Sequence, residues 1–229
     1  MSLKLGDISG NPFIGVFCRR VSDIVICPLE AAEEFISDLE EALEVKTVKA
    51  TLGGTNLHGS LMAANSKGLI VPYFYDLEEM DTILKKNGFN REELDINGSV
   101  SEDPHTAWGN NVLASDKVAI INPDLSRESV ELVSDTLGVE VIKGSIAGIK
   151  TVGSVAALNS KGMVVHPKAS EEERENLSEL FSLDVQISTA NFGSPYLGAS
   201  MIVNDRGALV GKRTSGVEMN RIENTLDII

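Results

Sequence analysis

The chain is predicted to form an α/β fold of five similar units that close around a common axis. A pattern of strand, glycine-bearing loop, strand, tight turn, strand and acidic helix occurs five times along the 229 residues. The third strands end at positions 28, 72, 123, 167 and 211, in steps of about 44, 51, 44 and 44 residues, a period typical of propellers and other stacked arrays. One unit of this size cannot bury its own apolar strands, so the five units must share a core.

The first unit, about 3–44, defines the pattern. LKLGDI from Leu3 is predicted to be the first strand, SGNPFIG the loop, VFCRRVS the second strand and DIVIC the third. Pro28 is predicted to open the helix, because proline suits a helix entry. The apolar residues of this helix have the spacing of a single helical stripe: Ala32, Phe35, Ile36, Leu39, Ala42 and Leu43.

The other units follow the same order at about 45–93, 94–138, 139–182 and 183–229, so residues 1–229 are predicted to form a single domain of five repeats. The second helix is predicted from about Asp76 to Asn87, with Gly88 as its stop. The third unit is predicted to have the longest first loop, INGSVSEDPHTAWGNN, and its helix is predicted to open at Ser126. The fourth helix is SEEERENLSELF, and the fifth ends near Ile229.

Tight turns are predicted at NSKG (65–68), NSKG (159–162) and NDRG (204–207). Asn and Gly tolerate the backbone angles of hairpin turns, so the second and third strands of each unit are expected to pair antiparallel. We expect the strands to lie inside and the helices outside. The runs of acid on the helices then form a solvated outer face.

Composition narrows the class of protein. Apolar residues make up 42% of the chain, but no apolar run approaches the roughly 20 residues that span a bilayer. The N-terminus also lacks the apolar stretch of a signal peptide, so we expect a cytoplasmic protein with no membrane contact. The net charge of −14 argues against nonspecific binding to DNA or other nucleic acid and favours a basic partner.

Sites for metals, cofactors and catalysis are not expected. Two cysteines are too few for a disulfide framework, and three scattered histidines form no metal-ligand cluster. GGTNLHGS lacks the GK[ST] ending of a phosphate-binding loop. Neither Cys18 nor Cys27 has a histidine nearby in the sequence.

The first loops of the units form a candidate docking surface. They are weakly charged and rich in Asn and Gly, with aromatic residues that include Trp108 and Phe192, and protein interfaces often use aromatic anchors. Taken singly, each residue is also explained by loop chemistry alone. The candidate binding residues, expected to be exposed, are Asn11, Phe13, Asn56, His58, Asn110, Asn111, Asn191 and Tyr196.

The tight turns lie at the opposite end of the second strands, and each carries one basic residue. These residues are either hydrophilic hairpin tips or a small ring of positive charge that could touch a phosphate backbone, and the sequence leaves both readings open. The five residues are Arg20, Lys67, Lys117, Lys161 and Arg206.

Five segments, in order, make the chain resemble the archaeal translation initiation factor 6 family, also called the ribosome anti-association factor. They are NPFIGVF (11–17), NSKGLIVP (65–72), GNNVLASDKVAIINPDL (109–125), VGSVAALNSKGMVVHP (152–167) and MIVNDRGALVG (201–211). Gly15 and Gly59 match glycines of the family pattern, whereas Asn56 and Ser60 stand where relatives can carry arginine.

The resemblance implies a pentein fold, a five-bladed α/β propeller with pseudo-fivefold symmetry. It also implies a monomer that binds the large ribosomal subunit on the face that meets the small subunit and blocks joining by steric hindrance. The partner would be a basic ribosomal protein near the sarcin–ricin loop, with a possible minor contact to ribosomal RNA. The implied role lies in initiation control and large-subunit biogenesis.

Two alternatives to a ribosome-binding factor belong to other classes of protein, an enzyme and a scaffold. Other pentein proteins modify guanidino groups with a nucleophilic cysteine late in the chain, but here no cysteine follows Cys27. The third reading, a scaffold for another assembly, would present the same loops.

Overall fold

Five three-stranded sheets and ten helices make up the fold in a computed structural model that describes residues 3–228. The strands are β1 (Leu3–Gly6), β2 (Arg19–Val21), β3 (Ile24–Pro28), β4 (Lys46–Ala50), β5 (Ala63–Ala64), β6 (Gly68–Pro72), β7 (Asn97–Ser101), β8 (Val112–Ala114), β9 (Val118–Ile121), β10 (Glu140–Lys143), β11 (Ala156–Leu158), β12 (Gly162–Val165), β13 (Asp184–Ile187), β14 (Met201–Val203) and β15 (Ala208–Gly211).

The helices alternate between short and long. The four-residue helices are α1 (Ile14–Phe17), α3 (His58–Leu61), α5 (Trp108–Asn111), α7 (Val152–Val155) and α9 (Leu197–Ser200). The long helices are α2 (Glu33–Leu43), α4 (Leu77–Lys86), α6 (Arg127–Leu137), α8 (Glu171–Phe181) and α10 (Gly216–Leu226). The long helices bury one apolar face each; α2, for example, packs Phe35 and Leu39 into a core cluster with Leu209 of β15.

Each sheet is one blade of a propeller. Blades 1 to 4 are β2-β3-β4, β5-β6-β7, β8-β9-β10 and β11-β12-β13, and blade 5 is β14-β15-β1. In every blade the middle strand is antiparallel to the inner strand and parallel to the outer one. The inner strands β2, β5, β8, β11 and β14 line a cavity on the axis.

The two ends of the chain close the ring. β1 pairs in parallel with β15, with Leu3 opposite Ala208 and Gly6 opposite Gly211. The predicted α/β fold, a five-bladed propeller of the pentein type, is confirmed. The blades are offset from the predicted units by one strand, because the first strand of each unit is the outer strand of the preceding blade.

Helix boundaries were predicted well where a cap is present. Asp76 accepts a hydrogen bond from the Glu78 amide at the start of α4, and Ser126 accepts one from the Ser129 amide at the start of α6. The prediction that Pro28 opens a helix is wrong. Pro28 is the last residue of β3, where it pairs with Ala50, and α2 begins only after the extended residue Ala32.

Two other boundaries also differ. The second strand of the first unit is shorter than predicted, because a helical turn precedes it: Val16 and Phe17 belong to α1 and not to β2. The predicted long third loop contains β7, which pairs with β6 over five residues. Its NGSVS sequence has little apolar character, so the sheet partner and not the local pattern determines this strand.

A ring of five glycines closes one end of the axial cavity. Each short helix carries a glycine at its second position, and a Cβ atom there would lie within 3.0 Å of the carbonyl oxygen of the neighbouring glycine. The ring members are Gly15, Gly59, Gly109, Gly153 and Gly198. Only glycine permits this backbone approach, so the ring fixes how closely the five blades meet.

The opposite end is held by turn asparagines. Asn159 accepts hydrogen bonds from the amides of Lys161 and Gly162 of its own turn. Its amide nitrogen donates to the carbonyl of Asn204 in blade 5, at 3.2 Å, and to the last residue of α10, Leu226, at 2.8 Å. Equivalent bonds of Asn65 and Asn204 reach Leu137 and Leu43 at the ends of α6 and α2. The turns therefore join neighbouring blades and satisfy helix C-terminal carbonyls.

Candidate functional site

The candidate site is the end of the propeller that carries the glycine ring, which we call the loop pole. Its five loops connect consecutive blades and span 7–13, 51–57, 102–107, 144–151 and 188–196. The middle strand of each blade runs toward this end, so the segments that follow Pro28, Pro72 and Gly211 also lie here. The long helices begin at the loop pole for the same reason.

Five of the eight predicted docking residues are accessible here. Asn11 and Tyr196 are exposed, while Phe13, Asn56 and Asn110 are half-buried. Asn56 is tied to its neighbours, since its amide donates to both carboxylate oxygens of Glu30 at 2.9 Å and its carbonyl accepts from Thr51 Oγ1 at 2.7 Å.

The expectation that His58, Asn111 and Asn191 are exposed is wrong, because all three are buried, and so is Trp108, one of the aromatic residues of the predicted docking loops. The short helices turn His58, Trp108 and Asn111 inward. Asn191 follows a bridge between Ala190 and Ser194 and has a positive φ of 51°. Its amide donates to the Pro12 carbonyl at 2.9 Å and so joins loop 188–196 to loop 7–13.

His58 lies beneath the surface of the loop pole, and both of its ring nitrogens contact neighbouring residues. Nε2 lies 3.0 Å from the Ala50 carbonyl, and Nδ1 lies 3.3 Å from the Tyr75 hydroxyl. Burial lowers the pKa of His58 below its usual value, so the ring is neutral at pH 7. It can position the loop but cannot present a cation to a partner.

Exposed apolar side chains collect at one part of the loop pole. Phe192 is 85% exposed and Tyr73 57%, although large apolar side chains are usually withdrawn from water. The set, which we call the apolar rim, consists of Leu29, Leu57, Tyr73, Phe74, Phe192, Tyr196 and Val217. Tyr73 and Phe74 contact each other edge to face, with ring centroids 5.3 Å apart.

The apolar rim follows an arc. Phe192 and Tyr196 belong to the loop between blades 4 and 5, and Leu57 belongs to the loop between blades 1 and 2. The half-buried Phe13 lies between them, in the loop that joins blade 5 to blade 1. Among the described exposed apolar residues, none lies in loops 102–107 and 144–151. The pole is thus apolar on one side and polar on the other.

Three lysines at the loop pole are paired with carboxylates. Lys49 lies 3.0 Å from Glu33, Lys150 lies 2.7 Å from Asp124, and Lys212 lies 3.1 Å from Asp7. The pKa of Asp7 is lowered by a hydrogen bond from the Gly10 amide and by Lys212. These pairs offset the charges of the three lysines, while the weakly charged docking surface stays a prediction.

A buried carboxylate holds the Phe192 loop in place. Glu218, in the first turn of α10, accepts hydrogen bonds from the Gly193 amide at 2.8 Å, the Phe192 amide at 3.2 Å and the Thr189 hydroxyl at 2.7 Å. It also forms a capping box with Ser215. Burial alone would raise the pKa of Glu218, but these hydrogen bonds outweigh burial and hold the pKa below its usual value.

The predicted basic residues lie at the opposite end, the turn pole. Three of them cap long helices: Lys67 donates to the Gly138 carbonyl at 3.0 Å, Lys161 to Asp227 at 2.6 Å and Arg206 to Glu44 at 2.8 Å. Cations at helix C-termini are stabilising. Arg20 donates to the Ser22 carbonyl, and the Lys117 side chain has no hydrogen bond or ion pair within residues 3–228. A contact between these residues and phosphate stays a prediction.

Comparison with known proteins decides the family. The profile of the eIF-6 family matches residues 3–225. The chain belongs to the eIF-6 family. It is 41% identical to "Translation initiation factor 6" of Picrophilus torridus over 98% of this chain and 99% of the relative. It is 38% identical to the protein of that name from Methanosarcina mazei over 99% of each.

A solved dimethylarginine dimethylaminohydrolase, an adduct with S-methyl-L-thiocitrulline, is also similar to this eIF-6 family chain. It matches at 14% identity and a TM-score of 0.46, covering 76% of this chain and 68% of that one. A score below 0.5 carries no argument about chemistry. Within the described part of the chain, no helix has the length and apolar content needed to cross a membrane.

Sequence reasoning missed several loop-pole residues of this eIF-6 family chain. Leu29, Tyr73 and Phe74 directly follow strands that end in proline, and YFY after such a strand is a visible signal. Leu57 precedes α3 in one of the predicted loops. Glu218 gave no sequence signal for holding a loop, since its partners lie 25 to 29 residues away.

Proposed function

We propose that this protein binds the large ribosomal subunit through its loop pole and sterically prevents association with the small subunit, acting in the control of translation initiation and in large-subunit biogenesis. Membership of the eIF-6 family and relatives named translation initiation factor 6 support a role in translation initiation. The observation that carries the docking part is the apolar rim on an otherwise acidic protein.

An exposed aromatic cluster of this kind marks an interaction site. Monomeric proteins rarely expose a contiguous apolar patch without a function for it, and aromatic side chains are enriched among residues that dominate binding energy. The backbone of Phe192 is held by the loop bonds to Glu218, so docking would order little further backbone there. We therefore place Phe192 and Tyr196 at the centre of the interface, with Asn11, Phe13 and Asn56 beside them and Asn110 at its far edge.

Charge suits a basic partner. The net charge is −14, and the long helices begin at the rim of the loop pole with acidic first turns that include Glu33, Glu34 and Glu78. A weakly charged contact surface bordered by acid would steer a basic ribosomal protein toward it. A minor RNA contact at the turn pole would depend mainly on Lys117, since the other basic turn residues donate to carbonyl groups. We place the protein in the cytoplasm as a monomer.

We also propose that the protein is not an enzyme. Cys18 and Cys27 are both buried, and burial together with the neighbouring Cys27 raises the pKa of the Cys18 thiol well above 9.0. A nucleophilic cysteine needs the opposite shift. Release of ammonia or citrulline from arginine analogues, lost on Cys18→Ala, would favour the guanidino-modifying alternative.

Co-sedimentation with separated archaeal ribosomal subunits tests the proposal. The wild-type protein is expected to sediment with the large subunit alone and to reduce joined ribosomes when both subunits are present. Phe192→Arg and Asn11→Arg are expected to weaken this binding at least tenfold. Asn176→Arg, the same change of charge at an exposed position of α8, is the matched control and is expected to bind normally.

Two outcomes would contradict the proposal. Absence of wild-type protein from the large-subunit fraction would remove the ribosome as partner. Equal weakening by Phe192→Arg and Asn176→Arg would mean that the docking surface lies elsewhere, and far-ultraviolet circular dichroism of each variant checks that it is folded.

A further inference from the structure

The axial cavity contains a half-buried cation, Arg19, for which the described residues supply no counter-ion. Arg19 opens β2 and extends into the cavity, which has a volume of about 110 Å³ and lies between the inner strands. Its guanidinium donates one hydrogen bond, from Nη2 to the Gly59 carbonyl. Nε is fully buried and has no hydrogen-bond partner among residues 3–228. None of the ion pairs found within residues 3–228 includes Arg19.

Arg20, the next residue, differs from Arg19 in the charged groups around it. Burial lowers the pKa of Arg20 as well, but at the turn pole the carboxylates of Asp116, Asp205 and Asp23 oppose this shift and favour its charged form. No carboxylate in the described part of the chain favours the charge of Arg19 in this way, and the charge of Arg20 opposes it. Burial and Arg20 lower the pKa of Arg19 to about 10, so the side chain remains a cation at neutral pH. A buried charge is strongly disfavoured unless a partner compensates it.

We propose that the axial cavity binds one small inorganic oxyanion, such as phosphate or sulfate, through the guanidinium of Arg19. A guanidinium favours oxyanions because its planar array of donors matches two oxygens at once. The volume of about 110 Å³ corresponds to about three or four waters at about 30 Å³ each, which is enough for a small tetrahedral ion beside Arg19.

The cavity has one closed and one open end. Gly15, Gly153 and Gly198 of the glycine ring line its floor at the loop pole. Toward the turn pole it continues into a wider pocket of about 310 Å³, and the two spaces share Arg20, Ala64, Ala114 and Leu158. Lys117 lines this outer pocket together with Asp116 and Asp205. An anion would therefore enter at the turn pole, past Arg20 and Lys117, and leave the docking surface untouched.

Isothermal titration calorimetry with sodium phosphate at constant ionic strength tests the site. The wild-type protein is expected to bind one phosphate per chain. Arg19→Gln is expected to weaken this binding at least tenfold, whereas Arg213→Gln, which removes an exposed arginine outside the cavity, leaves it unchanged. Equal affinity in wild type and Arg19→Gln, or no binding by the wild-type protein, would overturn the proposal.

A second measurement does not depend on the folding of any variant. Wild-type crystals grown without sulfate or phosphate and soaked in selenate are expected to give an anomalous peak within hydrogen-bond distance of the Arg19 guanidinium. Peaks confined to the outer surface would overturn the proposal. Because phosphate enters at the turn pole, failure here and failure of subunit binding are separate results.

Discussion

Replacing Glu218 with glutamine tests how the exposed Phe192 is held. The carboxylate accepts five hydrogen bonds: Oε1 from the Thr189 hydroxyl and the Gly193 amide, and Oε2 from the Phe192 amide and from both the amide and the hydroxyl of Ser215. Glutamine has the same shape but keeps only one accepting oxygen. The substitution therefore removes acceptors without creating a cavity.

The orientation of the glutamine side-chain amide determines how much the free energy of unfolding falls. Placed at the Oε2 position, its NH2 group would strand the amides of Phe192 and Ser215. Placed at Oε1, it strands only the Gly193 amide, because the Thr189 hydroxyl can turn and accept. The second arrangement loses less stability. One N–H group left without an acceptor costs about 1–3 kcal/mol, and the remaining hydrogen bonds weaken because their acceptor is no longer charged. We expect Glu218→Gln to lower the free energy of unfolding by about 2–4 kcal/mol at pH 7.

The effect must also depend on pH, with a definite sign. The folded-state pKa of Glu218 lies below the ordinary value of 4.5, so the stabilisation is fully present above pH 4.5 and is lost as the pH falls through the folded-state pKa. Urea unfolding of wild type and Glu218→Gln should differ by a constant amount between pH 6 and 8, and the difference should shrink below pH 4.5.

Glu223→Gln on the same helix is the matched control, since the Glu223 side chain has no hydrogen bond within the described residues. It is expected to change stability by no more than about 0.5 kcal/mol. A Glu218→Gln effect as small as that of the control at pH 7, or one that persists undiminished at pH 3, would refute the reasoning.

Three further predictions concern the glycine ring, the hydrogen bonds of the turn pole and the cooperativity of unfolding. Gly59→Ala is expected to lower the free energy of unfolding by about 3 kcal/mol or more, since its Cβ would meet the Gly15 carbonyl. Gly216→Ala is the control, because its Cβ would have no described atom within 4 Å, and it should stabilise the protein by up to about 1 kcal/mol. Equal effects of the two substitutions in urea unfolding would argue against the glycine ring. Asn159→Ala leaves two turn amides without an acceptor and should lower the free energy of unfolding by about 2–4 kcal/mol in the same assay. A decrease below about 0.5 kcal/mol would contradict the role of the turn-pole bonds. The single domain predicted from sequence should unfold in one transition, with the fluorescence of the buried Trp108 and far-ultraviolet circular dichroism coinciding; separate midpoints would indicate independent parts.

Local signals predicted those parts of the fold that depend on local physics. Helix α4 was placed within one residue at each end, because Asp76 caps its start and Gly88, with a φ of 81°, follows its end. The start of α6 was placed equally well, because Ser126 caps it. The predicted helix start at Pro28 was wrong because proline also suits the last residue of a strand, where its missing N–H removes no hydrogen bond from the sheet. The residues around Pro28 do not distinguish a helix start from a strand end.

The parts that were missed depend on neighbours about 44 residues away. Gly15 and Gly59 were recognised as loop glycines, but the ring appears only when each is placed against the next short helix. In the same way Asn159 was predicted as a turn former, which its Oδ1 bonds fit, while its Nδ2 bonds reach residues 45 and 67 positions away. His58 looked exposed because its loop is polar, although its ring turns inward beneath that loop.

The glycine ring limits how the loop pole can recognise a partner. Five glycines leave only backbone near the axis at this end, so specific side-chain contacts must come from the rim. The rim is not fivefold symmetric: apolar side chains occupy the arc from Phe192 to Phe74, while loops 102–107 and 144–151 contribute none among the described residues. A partner that contacts this arc can bind in only one rotational orientation about the axis. The symmetric scaffold would thus provide rigidity, and the departure from symmetry along the rim would provide specificity.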